Sequence, residues 1–455
     1  MWKTCAIGAL VACALNGIAT AIRPGDQTCA LSASNQCAVS AIEPSTLDGS
    51  VLIYPGGKTR CAFDDFTDVK GNFSTNKTYF FQVFPNKDQD KKKLLLFFQG
   101  GGACTGEDTC SFSLQCSLGK SATFNPNAVA SSSGILNRTN TDNLFKDWNI
   151  VHIPYCTGDL HVGNAERQTS DSGFAQFLGQ PQCIGQKMVT HMAGYENTMS
   201  ALKWALANYP NPEHLIVGGA SAGSLAAQAV SALVADLWSV KDSSIRYSVL
   251  ADSYVGVLPE EKKPSGETLD YYGACDVDLK VPAGIESLCK AKTLTVVQLM
   301  SSLLQATSFS DWLFIDSKAD KTQRYFYQLV KDGIAGYPFP NLISGADFFA
   351  DMTTMINAYR TVSSRISTFF VEGERHVFLT SEDYTTVLSD TGDVLGAFLK
   401  KWLLPHDDPS VAPTPAPTSG NPSPAPAAPS TTPSTTPAVM PSVVPTATPS
   451  VRPSC

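Results

Sequence analysis

No run of basic residues longer than Lys91-Lys92-Lys93 occurs in the 455 residues, and the formal net charge is −8. Nucleic-acid binders and polybasic membrane patches need clustered cations, so both classes are excluded. Cys-x-x-Cys pairs are also missing, which removes the common zinc frameworks, and no metal or cofactor is expected. No segment reaches the roughly 20 predominantly apolar residues of a membrane-spanning helix, so no integral membrane contact is expected. Histidine is scarce, six in all, so each one can be weighed separately. With 43% hydrophobic and 16% charged residues, the chain can bury an enzyme-sized core.

The two ends differ from the body. Lys3, an apolar stretch from Cys5 to Leu15 and the small residues Ala19-Thr20-Ala21 read as a secretory signal peptide over residues 1–21. From Pro405 to Cys455 the chain holds 15 of its 29 prolines, mixed with Ser, Thr and Ala and with no aromatic residue. Such a segment cannot bury a core and reads as a disordered, O-glycosylated tail. Residues 22–404 remain as one catalytic domain, expected to be monomeric. Ten of the 13 cysteines lie in it, an even number that fits disulfides in an exported protein. Cys104 with Cys156 is the expected pair that braces a loop, with Cys110–Cys116 and Cys275–Cys289 as further expectations. Sequons at Asn72, Asn76 and Asn137 suit a secreted, extracellular or cell-wall protein.

Within the body, short apolar runs at 94–98, 150–154, 215–218, 248–252, 313–316 and 366–371 each precede Gly, Ser or Asp. Helical patterns lie at 195–208, 222–235, 296–305, 321–330, 348–359 and 384–404. The alternation predicts an α/β fold: an α/β-hydrolase-like, mostly parallel sheet with helices on both faces.

The sharpest chemical signal is the Gly219-Ala220-Ser221-Ala222-Gly223 segment between a strand and an Ala-rich helix. In a nucleophile elbow the flanking glycines avoid neighbouring backbone, and the serine projects at a helix N-terminus where developing negative charge is stabilised. A plain packing turn is the structural alternative. Gly100-Gly101-Gly102 follows the 94–98 strand, so Gly101 and Gly102, with the amide of Ala222, are the candidate oxyanion donors. The base should follow the serine in the chain. His406 lies in the tail, which leaves His376 after the 366–371 strand, while His152, His191 and His214 read as structural. For the acid, Asp320, Asp316 and Asp252 are all open at this point, each near a strand end.

Three segments resemble the pectin acetylesterase family, which includes the Notum deacylases: Gly100-Gly101-Gly102 with Cys104, Ile153-Pro154-Tyr155-Cys156-Thr157-Gly158-Asp159, and the Ser221 elbow. The resemblance spans most of residues 45–400. It implies a serine esterase with Ser221 as nucleophile, Asp320 as acid and His376 as base. Two departures are visible. Ala103 stands where plant members carry Trp, and Ser224 where a glycine often follows the elbow.

The expected function is removal of acetyl groups from an acetylated cell-wall polysaccharide such as pectin. Alternatives are a Notum-like deacylase of longer acyl chains on protein or lipid, which needs a deep apolar pocket, and a non-catalytic wall or matrix adhesin.

Overall fold

The computed structural model describes residues 25–67, 74–75, 77–110, 133–168, 189–333, 336 and 339–404. The signal-peptide and tail assignments, His406, Cys116 and the Asn72 and Asn76 sequons lie outside them.

Strands are β1 (Gln27–Ala30), β2 (Val51–Tyr54), β3 (Phe66–Thr67), β4 (Ser74–Thr75), β5 (Phe81–Phe84), β6 (Lys93–Phe98), β7 (Asn149–Ile153), β8 (Ala165–Gln168), β9 (Val189–Met192), β10 (His214–Ala220), β11 (Arg246–Asp252), β12 (Asp311–Ser317) and β13 (Ile366–Val371). Nine of them form one sheet in the order β1-β2-β5-β7-β6-β10-β11-β12-β13. From β7 to β13 every neighbouring pair is parallel. β5 alone runs against both its neighbours, β2 and β7. The expected strands are all present; the short β1, β2 and β5 were not expected from the sequence.

Alternation along the central strands divides the core in two. Leu94, Leu96 and Phe98 of β6 face one side with Val151, Leu215 and Val217, while Leu95 and Phe97 face the other with Ile150, Ile216 and Leu313. A sheet apolar on both sides must be covered on both. The helices that follow are α1 (Gly194–Asn208), α2 (Ala222–Ala229), α3 (Ser231–Leu237), α4 (Ser265–Tyr271), α5 (Ala283–Lys290), α6 (Val296–Ala306), α7 (Lys321–Asp332), α8 (Gly345–Val362) and α9 (Leu395–Trp402). Leu202 of α1, Leu303 of α6 and Phe348 of α8 join the first face; Leu395 and Leu399 of α9 join the second.

Two helix expectations are corrected. The 222–235 pattern breaks at Val230 into α2 and α3. Of the 384–404 pattern only a short 3-10 turn at Tyr384–Thr386 and α9 are helical, because Ser389 to Asp393 close a turn through Ser389 N–H to Asp393 O and Gly392 adopts φ 88°. The polar run Ser389-Asp390-Thr391-Gly392-Asp393 was the signal for that turn.

Among the described residues the disulfides are Cys29–Cys37, Cys61–Cys156, Cys104–Cys110 and Cys275–Cys289. The last agrees with expectation, whereas Cys156 pairs with Cys61 and not with Cys104; the Cys110–Cys116 expectation involves a residue outside the described ones. The 61–62 segment lies along Cys156, with Ala62 N–H bonded to Cys156 O, and brings Cys61 to a Cα separation of 5.0 Å. Cys104 is joined to the Cys156 segment by a main-chain bond from its own N–H to Gly158 O instead.

Candidate active site

The parallel strands β6, β10, β11, β12 and β13 end at one edge, and each carries a candidate group just past its last residues. β10 passes into Ser221 at φ 56°, ψ −122°, and α2 starts at once. A non-glycine residue in this region is strained, and two features hold it there. Ser221 N–H donates to Asp252 O at 2.8 Å. A Cβ on Gly219 would stand 2.1 Å from Gly223 O, and one on Gly223 would stand 2.1 Å from Phe98 O. Only glycine lets the elbow sit this close to itself and to β6.

Asp320 caps α7, accepting Gln323 N–H at Oδ1 (2.9 Å). Its Oδ2 accepts Gln323 Nε2 at 2.9 Å and lies 2.7 Å from His376 Nδ1. The carboxylate is fully buried and therefore places the imidazole proton on Nδ1. His376 Nε2 is also buried and has no hydrogen-bond partner among the described residues, so no such bond joins it to Ser221.

The loop carrying His376 is held from below by β11. Asp252 accepts Phe378 N–H and Leu379 N–H, the latter at 2.7 Å, and Val377 N–H donates to Ser253 Oγ. Asp252 is thus occupied with backbone and is not in contact with the imidazole nitrogens. Asp316 lies within β12, as its sequence position suggested, and meets Gln323 Nε2 at 2.7 Å. Of the three carboxylates left open by sequence reasoning, only Asp320 is hydrogen-bonded to His376.

The N–H groups of Gly101, Gly102 and Ala222 have no protein acceptor among the described residues. Gly102 has φ 74°, and a Cβ on it would stand 2.9 Å from Phe326 Cζ. The loop is pinned through Gln99: its N–H donates to Ile153 O at 3.0 Å, its Oε1 accepts Tyr155 N–H at 3.0 Å, and its O faces His161 Nε2 at 2.9 Å. His161 is buried, stacks on Tyr155 at 4.5 Å, and burial lowers its pKa to about 4. It is therefore neutral and donates from Nε2. Asp159 accepts Thr157 Oγ1, His161 N–H and Gly194 N–H, and burial raises its pKa to about 6. Sequence reasoning singled out the 153–159 segment but gave these two residues no role. A buried Asp two residues before a His was the signal available.

The other histidines sit elsewhere. His152 is buried in β7 beside Phe97, His214 starts β10 and meets Ser248 Oγ, and His191 pairs with Glu166 on the β8–β9 hairpin. Lys93 begins β6 at the far end from the glycine loop, where its ammonium lies over Trp148.

An apolar cavity of ≈ 110 Å³ opens beside Ser221, walled by Ala103, Leu225, Leu258, Met300, Leu303 and Phe326 among others. Leu269 and Leu299 line both this cavity and a second apolar one of ≈ 30 Å³ beside Cys275–Cys289.

Residues 74–267 match the family model described as Pectinacetylesterase. The resemblance to the pectin acetylesterase family stands. The match speaks for an ester hydrolase at the level of the family. Among solved structures, the Wnt deacylase Notum from Drosophila superposes with a TM-score of 0.50 at 16% identity, covering 75% of this chain and 93% of that one. Its fold, an α/β-hydrolase-like sheet, is the fold found here. No curated protein matches the sequence.

Proposed function

We propose that this chain is an exported serine ester hydrolase in which Ser221 attacks the ester, His376 is the general base and Asp320 orients it. The observation that carries the proposal is the buried Asp320–His376 pair, 2.7 Å apart, set at the same sheet edge as the strained Ser221 elbow. As Ser221 Oγ bonds to the carbonyl carbon, its proton passes to His376 Nε2, the position left unpartnered in the free enzyme. The oxyanion meets the amides of Gly101, Gly102 and Ala222. Collapse breaks the bond to the alcohol, which takes the proton from His376, and water repeats the cycle to free the acid.

The sequence favoured an acetyl group on a polysaccharide. The cavity beside Ser221 favours a longer chain, because ≈ 110 Å³ exceeds what one methyl group fills and its walls are almost all hydrocarbon. The small side chain of Ala103 is part of that wall. Four disulfides support an oxidising, extracellular setting, with residues 405–455 as a stalk.

The test is kcat/KM over aryl esters from acetyl to octanoyl. Each methylene that enters the cavity is worth about 0.8 kcal/mol, roughly fourfold, so the series should rise beyond acetyl until the cavity is full. A steep fall from acetyl onwards would return the reading to polysaccharide deacetylation. Equal rates for the wild type and Ser221→Ala would overturn the serine mechanism.

A further inference from the structure

Beneath the Asp320–His376 pair lies a second carboxyl group that the mechanism above does not use. Asp316 and Asp320 are both fully buried. One side-chain nitrogen serves both: Gln323 Nε2 is 2.7 Å from Asp316 Oδ1 and 2.9 Å from Asp320 Oδ2. Asp316 Oδ2 and Gln323 Oε1 have no hydrogen-bond partner among the described residues.

Two ionised carboxylates sharing one amide group in a dry site repel strongly, so the pair holds one negative charge between them. The donors decide where it rests. Asp320 receives Gln323 N–H, Gln323 Nε2 and His376 Nδ1, whereas the side chain of Asp316 receives Gln323 Nε2 and the N–H of the adjacent Ser317 only, two donors against three. We infer that Asp316 is a positioning residue that works as a neutral acid, sharing Gln323 with Asp320 so that the single charge stays on the carboxylate facing His376. This rests on the proposed roles of Asp320 and His376.

The groups around Asp316 agree. Asp320 and Gln323 face it from α7, Asp252 from β11 and Tyr254 from the segment after β11, with His376 beyond Asp320; there is no cation among these except a protonated His376. Burial first, then the charge of Asp320, raise the Asp316 pKa well above its ordinary value. Once a rising pH ionises Asp316, two carboxylates compete for Gln323, and Asp320 is drawn off His376 Nδ1.

The test compares Asp316→Asn, a permanently neutral isostere, with Asp316→Leu and Asp320→Asn. In Asp316→Asn the alkaline limb of kcat/KM should move up by about one pH unit or more, while Asp320→Asn should lose about 100-fold or more in kcat across the whole range. Asp316→Leu, which leaves Gln323 Nε2 with Asp320 as its one acceptor, should lower kcat by about tenfold, with most of the loss recovered in Asp316→Asn. The infrared carbonyl band of a protonated carboxyl should be present in the wild type at neutral pH and absent from Asp316→Asn. That band reads the proton without any substrate, so it separates failure of this inference from failure of the esterase reading. The inference is overturned by a missing band, by a pH profile of Asp316→Asn superimposable on the wild type, or by a loss in Asp316→Asn as large as that in Asp320→Asn.

Discussion

Asp252 holds Ser221 and the His376 loop at once: its main-chain oxygen accepts the Ser221 amide at 2.8 Å, and its carboxylate accepts the amides of Phe378 and Leu379. The proposed nucleophile and base come from segments some 150 residues apart in the sequence, and this one residue ties both segments. Asp252→Ala leaves buried amides unpaired and should cost about 3 kcal/mol or more in stability and at least about tenfold in kcat. Urea unfolding and kinetics on one aryl ester measure both. A variant with wild-type kcat would show that the loop holds His376 without this tie.

His161 should matter for rate more than for binding. Its Nε2–H holds Gln99 O, the residue before the glycine loop. His161→Phe keeps the stack on Tyr155 but removes the donor, so the Gly101 and Gly102 amides lose their fixed aim. The expected outcome is a fall of about tenfold in kcat with little change in KM. A change confined to KM would place His161 outside the oxyanion support.

Filling the cavity should shorten the preferred acyl chain. Leu303 lies on its wall, and Leu303→Trp adds bulk there. The ratio of octanoyl to acetyl kcat/KM should drop by about tenfold or more, as three or four methylenes lose their burial. Leu299→Ala, which thins the partition to the second cavity, should move the ratio in the opposite direction.

Mild acid should destabilise the fold through its buried histidines. Burial lowers the pKa of His152 and His214 to about 3 and that of His161 to about 4, so each stays neutral in the fold but takes a proton when unfolded below its ordinary value of 6.5. The unfolded state then binds more protons, and stability is lost as the pH falls from about 6.5 towards 4. Asp159 acts in the opposite sense, since its pKa raised to about 6 makes the fold gain stability as pH falls from 6 towards 4. Burial likewise raises the pKa of Asp252, Glu260 and Asp316, which act with Asp159, so the contribution of the three histidines is partly offset and a net loss on the order of 1 kcal/mol is expected between about pH 7 and pH 4.5. Urea midpoints at the two pH values check it; an unchanged midpoint would mean that the histidines protonate within the fold.

Truncation after Leu404 should leave kcat/KM on a small soluble ester within about twofold of the full chain, because a segment without core residues cannot shape the site. A loss of folding would place the domain boundary farther along.

Much of this arrangement was legible in the sequence because it lies in short-range patterns. A buried parallel strand such as 94–98 is a continuous apolar run, and the elbow shows as a five-residue pattern, even though the contact that demands Gly223 is with Phe98, distant in the chain. The Asp320 assignment needed the family resemblance, since nothing local separates two aspartates four residues apart; Gln323 Nε2 and His376 make the difference, and only the folded chain brings them together. The Cys104–Cys156 expectation failed for the same reason, while the local Cys275–Cys289 pair was met. Cys61 reaches Cys156 through the lie of a long loop, and no spacing encodes that. Strands of four residues such as β1 and β2 carry too few residues for a period to appear.

The contact of Gly223 with the carbonyl of Phe98 has a consequence for how this enzyme could change. It fuses the elbow to the strand that leads into the glycine loop, so Ser221, the proposed nucleophile, and the amides proposed to receive the oxyanion move as one body. The cavity beside Ser221 draws on other stretches as well: Ala103, Leu225 and Phe326 line it near the candidate groups, but Leu258, Leu269, Leu299, Met300 and Leu303 all come from the stretch between β11 and β12. Much of the wall that would measure chain length therefore lies apart in the polypeptide from Ser221, His376 and the glycine loop. Selection, or an engineer, can rewrite that part of the wall through substitutions in that one stretch while Ser221 and the glycine loop stay in register.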